Sequence, residues 1–377
     1  MEYISFIPPE FYKATYMYTV VLFLTFITMA KCAADGGTKL LDAKPTFPLP
    51  ALILAVILIL FLGLRPHTGA FGDTTTYLYS YDSFFENKEA IDWSKEWLWT
   101  NITYLCKSLG LSGTAYLVVI DVIYISTAFI CCCILMKRNV WVAFTFVVSS
   151  YSFYTYGING IRNGAALHIM LVAIALFAER KHMIVGALLC AAALGIHRTS
   201  MLPITAVVCA IFLIKDPKQA IYFWLFSIVV SLIAGNAVGN VFAGLGFDDR
   251  MSGYLNNQNS AEEMGQFSQT GFRFDFLLYS AMPVLMTWYV TVKRQFRDRG
   301  FNTIAITYIL CNAFWVMVIR TAFSNRFAYL SWFLYPIVIA YPLLRFRIWK
   351  DQGNKAALIL FLYAGFTYFM FVLKPNG

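Results

Sequence analysis

Arg65, Arg162, Arg198, Arg320 and Arg326 each border or interrupt an apolar stretch of this sequence. A guanidinium placed so deep needs a carboxylate, a cavity or an anionic ligand. Its planar fork matches the oxygens of a phosphate or diphosphate. Snorkelling to an interface is the simpler reading of any single arginine. In GINGIRNGAAL (157–167), Asn159, Arg162, Asn163 and Ala166 recur at three- and four-residue spacing and share one helix face. That face suits an anion, or else close helix packing through small residues with Arg162 paired to a carboxylate. In RTAFSNRFAYLSWFLYPI (320–337), Arg320 and Arg326 flank a short turn and can address the same cavity.

Groups able to move a proton are few. GIHRTSMLP (195–203) sets His197 and Arg198 beside two hydroxyls, and His197 reads either as a structural histidine or as a catalytic one. Asp73, in FGDTTTYLYSYDSF (71–84), and Glu96, before WLWTNITYLCKSLG, are the acids placed to act as a base, bind sugar or pair with an arginine. Asp121 lies inside an apolar run and reads as the partner of an arginine. No Walker loop, HExxH motif or metal-spaced His/Cys cluster is present, so neither metal nor cofactor is expected. Cys131, Cys132 and Cys133 read as helix packing.

The elements that must hold these residues are membrane helices. Of 377 residues, 59% are hydrophobic and 13% charged, and mean hydropathy is +0.64. A soluble chain carries about 25% charged residues. Unbroken runs such as ALILAVILILFLGL (51–64) lack the alternation of a membrane barrel strand. The expected fold is therefore all-α: one polytopic membrane domain over 1–377, with about a dozen spans. They fall near 14–30, 49–64, 113–136, 140–156, 160–178, 183–196, 201–214, 220–243, 276–292, 302–320, 327–344 and 356–373. The opening MEYISFIPPEFYK has no basic n-region, so the first span is expected to remain.

Alternate short loops collect the basic residues: Lys31, Lys39 and Lys44; Lys137 and Arg138; Arg180 and Lys181; Lys215 and Lys218; Lys293 to Arg299; Arg345 to Lys355. The positive-inside rule puts those loops in the cytoplasm and both termini outside. The arginine-bearing span ends then face outward, together with two longer outer segments, 65–112 and 245–275. The first carries Asp73, Asp82, Glu86, Glu89, Asp92 and Glu96 and two aromatic stretches suited to the interface; the second is rich in Asn, Gln, Ser and Gly. Chemistry is expected on the outer face.

These residues, in this order, resemble the EpsG family of bacterial exopolysaccharide membrane proteins, which is grouped with Wzy-type polymerases. Arg65, then Gly72-Asp73-Thr74 and Tyr77, is similar to that family's R…GtDt..Y stretch. EWLWTNITYLCKSLG (96–110), INGIRNGAALHIML (158–171) and ALGIHRTSMLPI (193–204) are similar to its following elements. Asn163 stands where the family often has Gln, and Ser200 follows an Arg198 that is not typical there.

The resemblance implies a metal-independent glycosyltransferase in the bacterial inner membrane, for which a GT-C-like arrangement is one form. Its substrate would be an undecaprenyl-diphosphate-linked oligosaccharide; its partners, the bilayer, a flippase and a chain-length regulator; nucleic acid has no part. In that reaction Arg65, Arg162, Arg198, Arg320, Arg326 and Asn159 would hold diphosphate. Asp73 would take the acceptor's proton, His197 orient substrate and Glu96 bind sugar. The competing readings are a transporter or flippase of lipid-linked sugars, and a polyprenyl-dependent ligase or acyltransferase. A transporter would be expected to show an internal repeat and interrupted helices near the midplane, and neither is visible.

Overall fold

The structure, a computed structural model, describes residues 7–87, 93, 96–244, 272–320 and 324–374. Glu89 and Asp92 of the first outer segment, and the second outer segment up to residue 271, lie outside the described residues. Among the described residues every regular element is helical. Eight stretches there are long and apolar enough to cross a membrane: Pro9–Gly37, Gly113–Leu135, Ile161–Ala178, Pro217–Ala234, Phe274–Lys293, Arg299–Met317, Arg326–Arg345 and Gln352–Leu373. Leu49–Gly63, Met183–Ile196 and Arg198–Phe212 are shorter apolar helices. The chain is a polytopic helical membrane protein, because helices satisfy their own backbone in lipid.

The apolar run 140–156 reads as one span, but the structure divides it into Val140–Val148 and Tyr151–Ile158, with Ser150 extended between them. Such a break strands backbone carbonyls where water is scarce. Neighbouring helices supply the donors. Tyr16 OH donates to the Val148 carbonyl and Thr367 Oγ1 to that of Ser149 at 2.9 Å. The run 327–344 is likewise divided, into Ser324–Trp332 and Tyr335–Arg345, so two spans are interrupted where the sequence shows unbroken runs, and that ground against a transporter falls away.

Burial separates central from peripheral helices. Of the most apolar 18-residue window in each stretch, all residues are buried in Arg326–Arg345 and 78% in Ile161–Ala178 and Arg299–Met317, against 44% in Gly113–Leu135. Two of the three central stretches carry a site arginine at their N-terminal end, Arg162 and Arg326. Their opposite ends meet the basic loops: Arg345 pairs with Glu179, Arg347 reaches Asp42 at 2.6 Å, and Arg138 donates to the Leu41 carbonyl at 3.3 Å. The Thr74–Asp82 and Trp97–Ser108 helices pack at the arginine end, on the first turns of Gly113–Leu135, through Leu78, Tyr81, Cys106 and Tyr116.

Candidate active site

Arg65 follows the Leu49–Gly63 helix and is 1% exposed. Its Nη1 lies 2.9 Å from Asp121 Oδ2, and its Nε and Nη2 donate to Thr74 Oγ1 at 3.2 and 3.1 Å. Thr74 Oγ1 in turn donates to the Ile158 carbonyl. Asp121 sits within a membrane-length helix, where a carboxylate needs a cation. That need binds Arg65 inside the protein. Expected at the edge of an anion site, Arg65 instead locks three helix ends together; removing either member of such a pair costs about 3–5 kcal/mol.

The Gly72-Asp73 dipeptide meets Asn159 directly. Gly72 has φ +57°, and a Cβ there would collide with Asn159 Oδ1. This oxygen accepts the Asp73 backbone N–H at 2.8 Å. Glycine is therefore required twice over, by the left-handed backbone and by the close approach. The tie sets Asp73 at the rim of a cavity that Asn159 also lines.

Glu96 adopts a left-handed conformation, φ 56° and ψ 39°, just before the Trp97–Ser108 helix. For a residue with a Cβ this costs about 1–2 kcal/mol. The conformation is held by what the carboxylate gains. Oε1 lies 2.6 Å from His197 Nδ1 and accepts the Arg198 backbone N–H at 3.4 Å. Oε2 lies 2.6 Å from Arg162 Nη1. Burial pushes the Glu96 carboxyl up, but the His197 hydrogen bond and the Arg162 guanidinium outweigh it and hold it below its usual value. An ionised carboxylate can only accept, so His197 Nδ1 is the donor; in the neutral ring Nε2 is then the acceptor.

His197 reaches this position because the Met183–Ile196 helix ends beside it and its own backbone is extended. Gly195, on the last turn, lets the start of the Trp97–Ser108 helix approach. A Cβ there would lie 2.7 Å from Trp97 Cε2 and 3.0 Å from Leu98 Cβ. Thr199 Oγ1, donating to Asn163 Oδ1 at 3.2 Å, fixes the following turn to the Ile161–Ala178 helix.

Asp73, Asn159, Arg162, His197 and Arg326 share one cavity of about 140 Å³. No side chain caps the Ile161–Ala178 helix, whose first residues border it. Uncapped amides and two guanidinium groups make this a place for anionic oxygens. The sequence profile of the EpsG family matches residues 49–376, which include every one of these groups. The chain belongs to the EpsG family. Membership points to a polysaccharide polymerase-type function. No curated protein and no solved structure matches the chain.

Of the arginines expected to converge in this EpsG-family protein, Arg162 and Arg326 line the cavity and the others do not. Arg198 is exposed and touches Glu96 through its backbone. Arg320 lies over the Phe272 ring at 5.9 Å and is not among the residues that line the cavity. Glu96 is engaged by His197 and Arg162 and does not itself line the cavity. Tyr77, a residue of the family motif, and Thr199, one of the two hydroxyls beside His197, also line the cavity; nothing in the sequence marks Thr155, Tyr156 and Tyr329, which line it too.

Proposed function

We propose that this EpsG-family protein polymerises undecaprenyl-diphosphate-linked oligosaccharide repeat units at the outer face of a bacterial inner membrane. The single observation that carries the reading is His197, oriented by Glu96, lining one cavity with the guanidinium groups of Arg162 and Arg326.

In the proposed step, a hydroxyl of the incoming unit attacks the anomeric carbon of the growing glycan. The new glycosidic bond forms as the bond from that carbon to the diphosphate oxygen breaks. The diphosphate departs with the electron pair. Arg162 and Arg326 stabilise its developing charge, a task that fixed cations perform well in a partly dry site. The acceptor's proton passes to His197 Nε2, the acceptor nitrogen of the neutral tautomer that Glu96 selects by accepting from Nδ1. His197, whose ring Glu96 orients, is proposed as the base in place of Asp73, the base expected from the sequence; Asp73 would orient a substrate hydroxyl from the rim. The arginines supply the charge neutralisation that other transferases take from a metal, so the reaction is proposed to need none. A flippase would deliver the units and a chain-length regulator would set their number.

Deleting the gene in its host and resolving surface polysaccharide on a gel tests the function. A single capped repeat supports polymerisation, and an unchanged ladder rejects it. In intact cells, an impermeant thiol reagent should label Thr76→Cys and spare Arg297→Cys; the reverse pattern would overturn the sidedness.

A further inference from the structure

The Thr74–Asp82 and Trp97–Ser108 helices each begin at the cavity end, with Asp73 and Glu96 immediately before their first residues. Residues of both helices line a second, more open trough of about 320 Å³. This size falls within the roughly 300–1,000 Å³ of small-molecule sites. Tyr77 lines both the cavity and the trough and so joins them.

The lining has a definite chemistry. Tyr77 stands edge-on to Trp99 at 5.6 Å, and Tyr79 is 77% exposed. Among these rings, Ser80 and Ser83 donate their hydroxyl protons to the carbonyls of Thr76 and Tyr79, both at 2.9 Å. Thr100 donates to the Glu96 carbonyl at 3.4 Å. With their protons turned inward, the Ser80 and Thr100 oxygens offer lone pairs as acceptors. Among the described residues, none that lines the trough is charged.

An anionic headgroup would find no cation among the described lining residues, and a hydrocarbon chain would leave the hydroxyl acceptors unmet. A pyranose ring suits both features, since its C–H face covers aromatic rings and its hydroxyls donate to oxygen acceptors. We propose that the trough is a saccharide subsite for neutral pyranose residues of the glycan whose reacting end occupies the cavity. The proposal rests on the polymerase reading for the identity of that glycan; occupancy of the trough needs no turnover.

The test uses full-length protein in lipid nanodiscs. The probes are neutral oligosaccharides of graded length, released from the host's surface polysaccharide by mild acid and followed by saturation-transfer NMR and titration. Affinity should rise with probe length, and Tyr79→Ala should weaken the longer probes about fivefold. Ser83→Ala should weaken them by a smaller factor. His197→Ala, inert in polymerisation, should still bind them, so failure of the catalytic reading and failure of the subsite give different results. Absence of binding to the wild type, equal affinity in the Tyr79 and Ser83 variants, or binding confined to charged fragments overturns the proposal. So does a Tyr79→Ala variant whose only change is weaker association with lipid vesicles, which would make the trough a membrane contact.

Discussion

Glu96 and His197, 101 residues apart in sequence, meet at 2.6 Å through Oε1 and Nδ1. The second carboxylate oxygen holds Arg162 at the same separation. One acid thus fixes both the ring proposed to take the proton and a cation proposed to receive the leaving group.

Glu96→Gln tests this double role. The amide keeps the size of the side chain but cannot hold a proton on Nδ1 and a guanidinium at once. Polymerisation should slow by about a hundredfold, with donor binding largely kept. The comparison is of initial rates at saturating lipid-linked donor. A variant within about twofold of wild type would mean that Glu96 does not tune the reaction.

The same cluster gives stability a pH dependence of known sign. The folded-state pKa of Glu96 is depressed, so its ionised form stabilises the protein above the unfolded carboxyl pKa. This contribution disappears as pH falls through the lower folded value. Thermal midpoints in detergent should therefore favour wild type over Glu96→Gln at neutral pH. The gap should close in acid, below the ordinary carboxylate range. A gap that widens on acidification would contradict the assignment.

Gly195 is predicted to act through position alone. Gly195→Ala places a methyl against Trp97 and Leu98 and should push Glu96 away from His197. Overpacking of this kind costs about 1–3 kcal/mol, and small misplacements of a site can cost up to about a hundredfold in rate. Adding Trp97→Phe, which frees space near the indole, should restore part of the lost rate. A Gly195→Ala enzyme with unaltered kinetics would show that the approach of these two helices is not critical.

Arg162→Lys and Arg326→Lys keep charge but lose the planar fork. Each should reduce polymerisation by about tenfold or more at normal expression. Treatment with a divalent-metal chelator should leave the wild-type rate unchanged. Strong inhibition reversed by added metal would remove the arginines from their proposed part in leaving-group departure.

Periodicity and apolar length located most helices, because a membrane-length run of Leu, Ile, Val and Phe has few other solutions. The breaks were hidden. Where Ser149 and Ser150 divide one run, Tyr16 and Thr367 satisfy carbonyls that the break exposes, and those donors lie far away in sequence. The site was legible in part for a similar reason. Arg162 and His197 stood out by their depth, but nothing local joins Glu96 to either one. Arg65 looked like Arg162 in sequence. Asp121 makes the difference, since burial at helix depth makes it a stronger claim on Arg65 than any open cavity. Gly72 gave the clearest unread clue, a glycine needed because Asn159 reaches the following amide.

The most direct measurement supplies the purified, reconstituted protein with a synthetic undecaprenyl-diphosphate-linked repeat unit and follows both products. The wild type should yield a ladder of lipid-linked oligomers and release one undecaprenyl diphosphate for each new glycosidic bond. His197→Ala should yield neither while remaining folded and able to bind the donor. Wild-type protein that releases no undecaprenyl diphosphate, or a His197→Ala variant that makes the full ladder, would contradict polymerisation at this cavity by the Glu96–His197 pair.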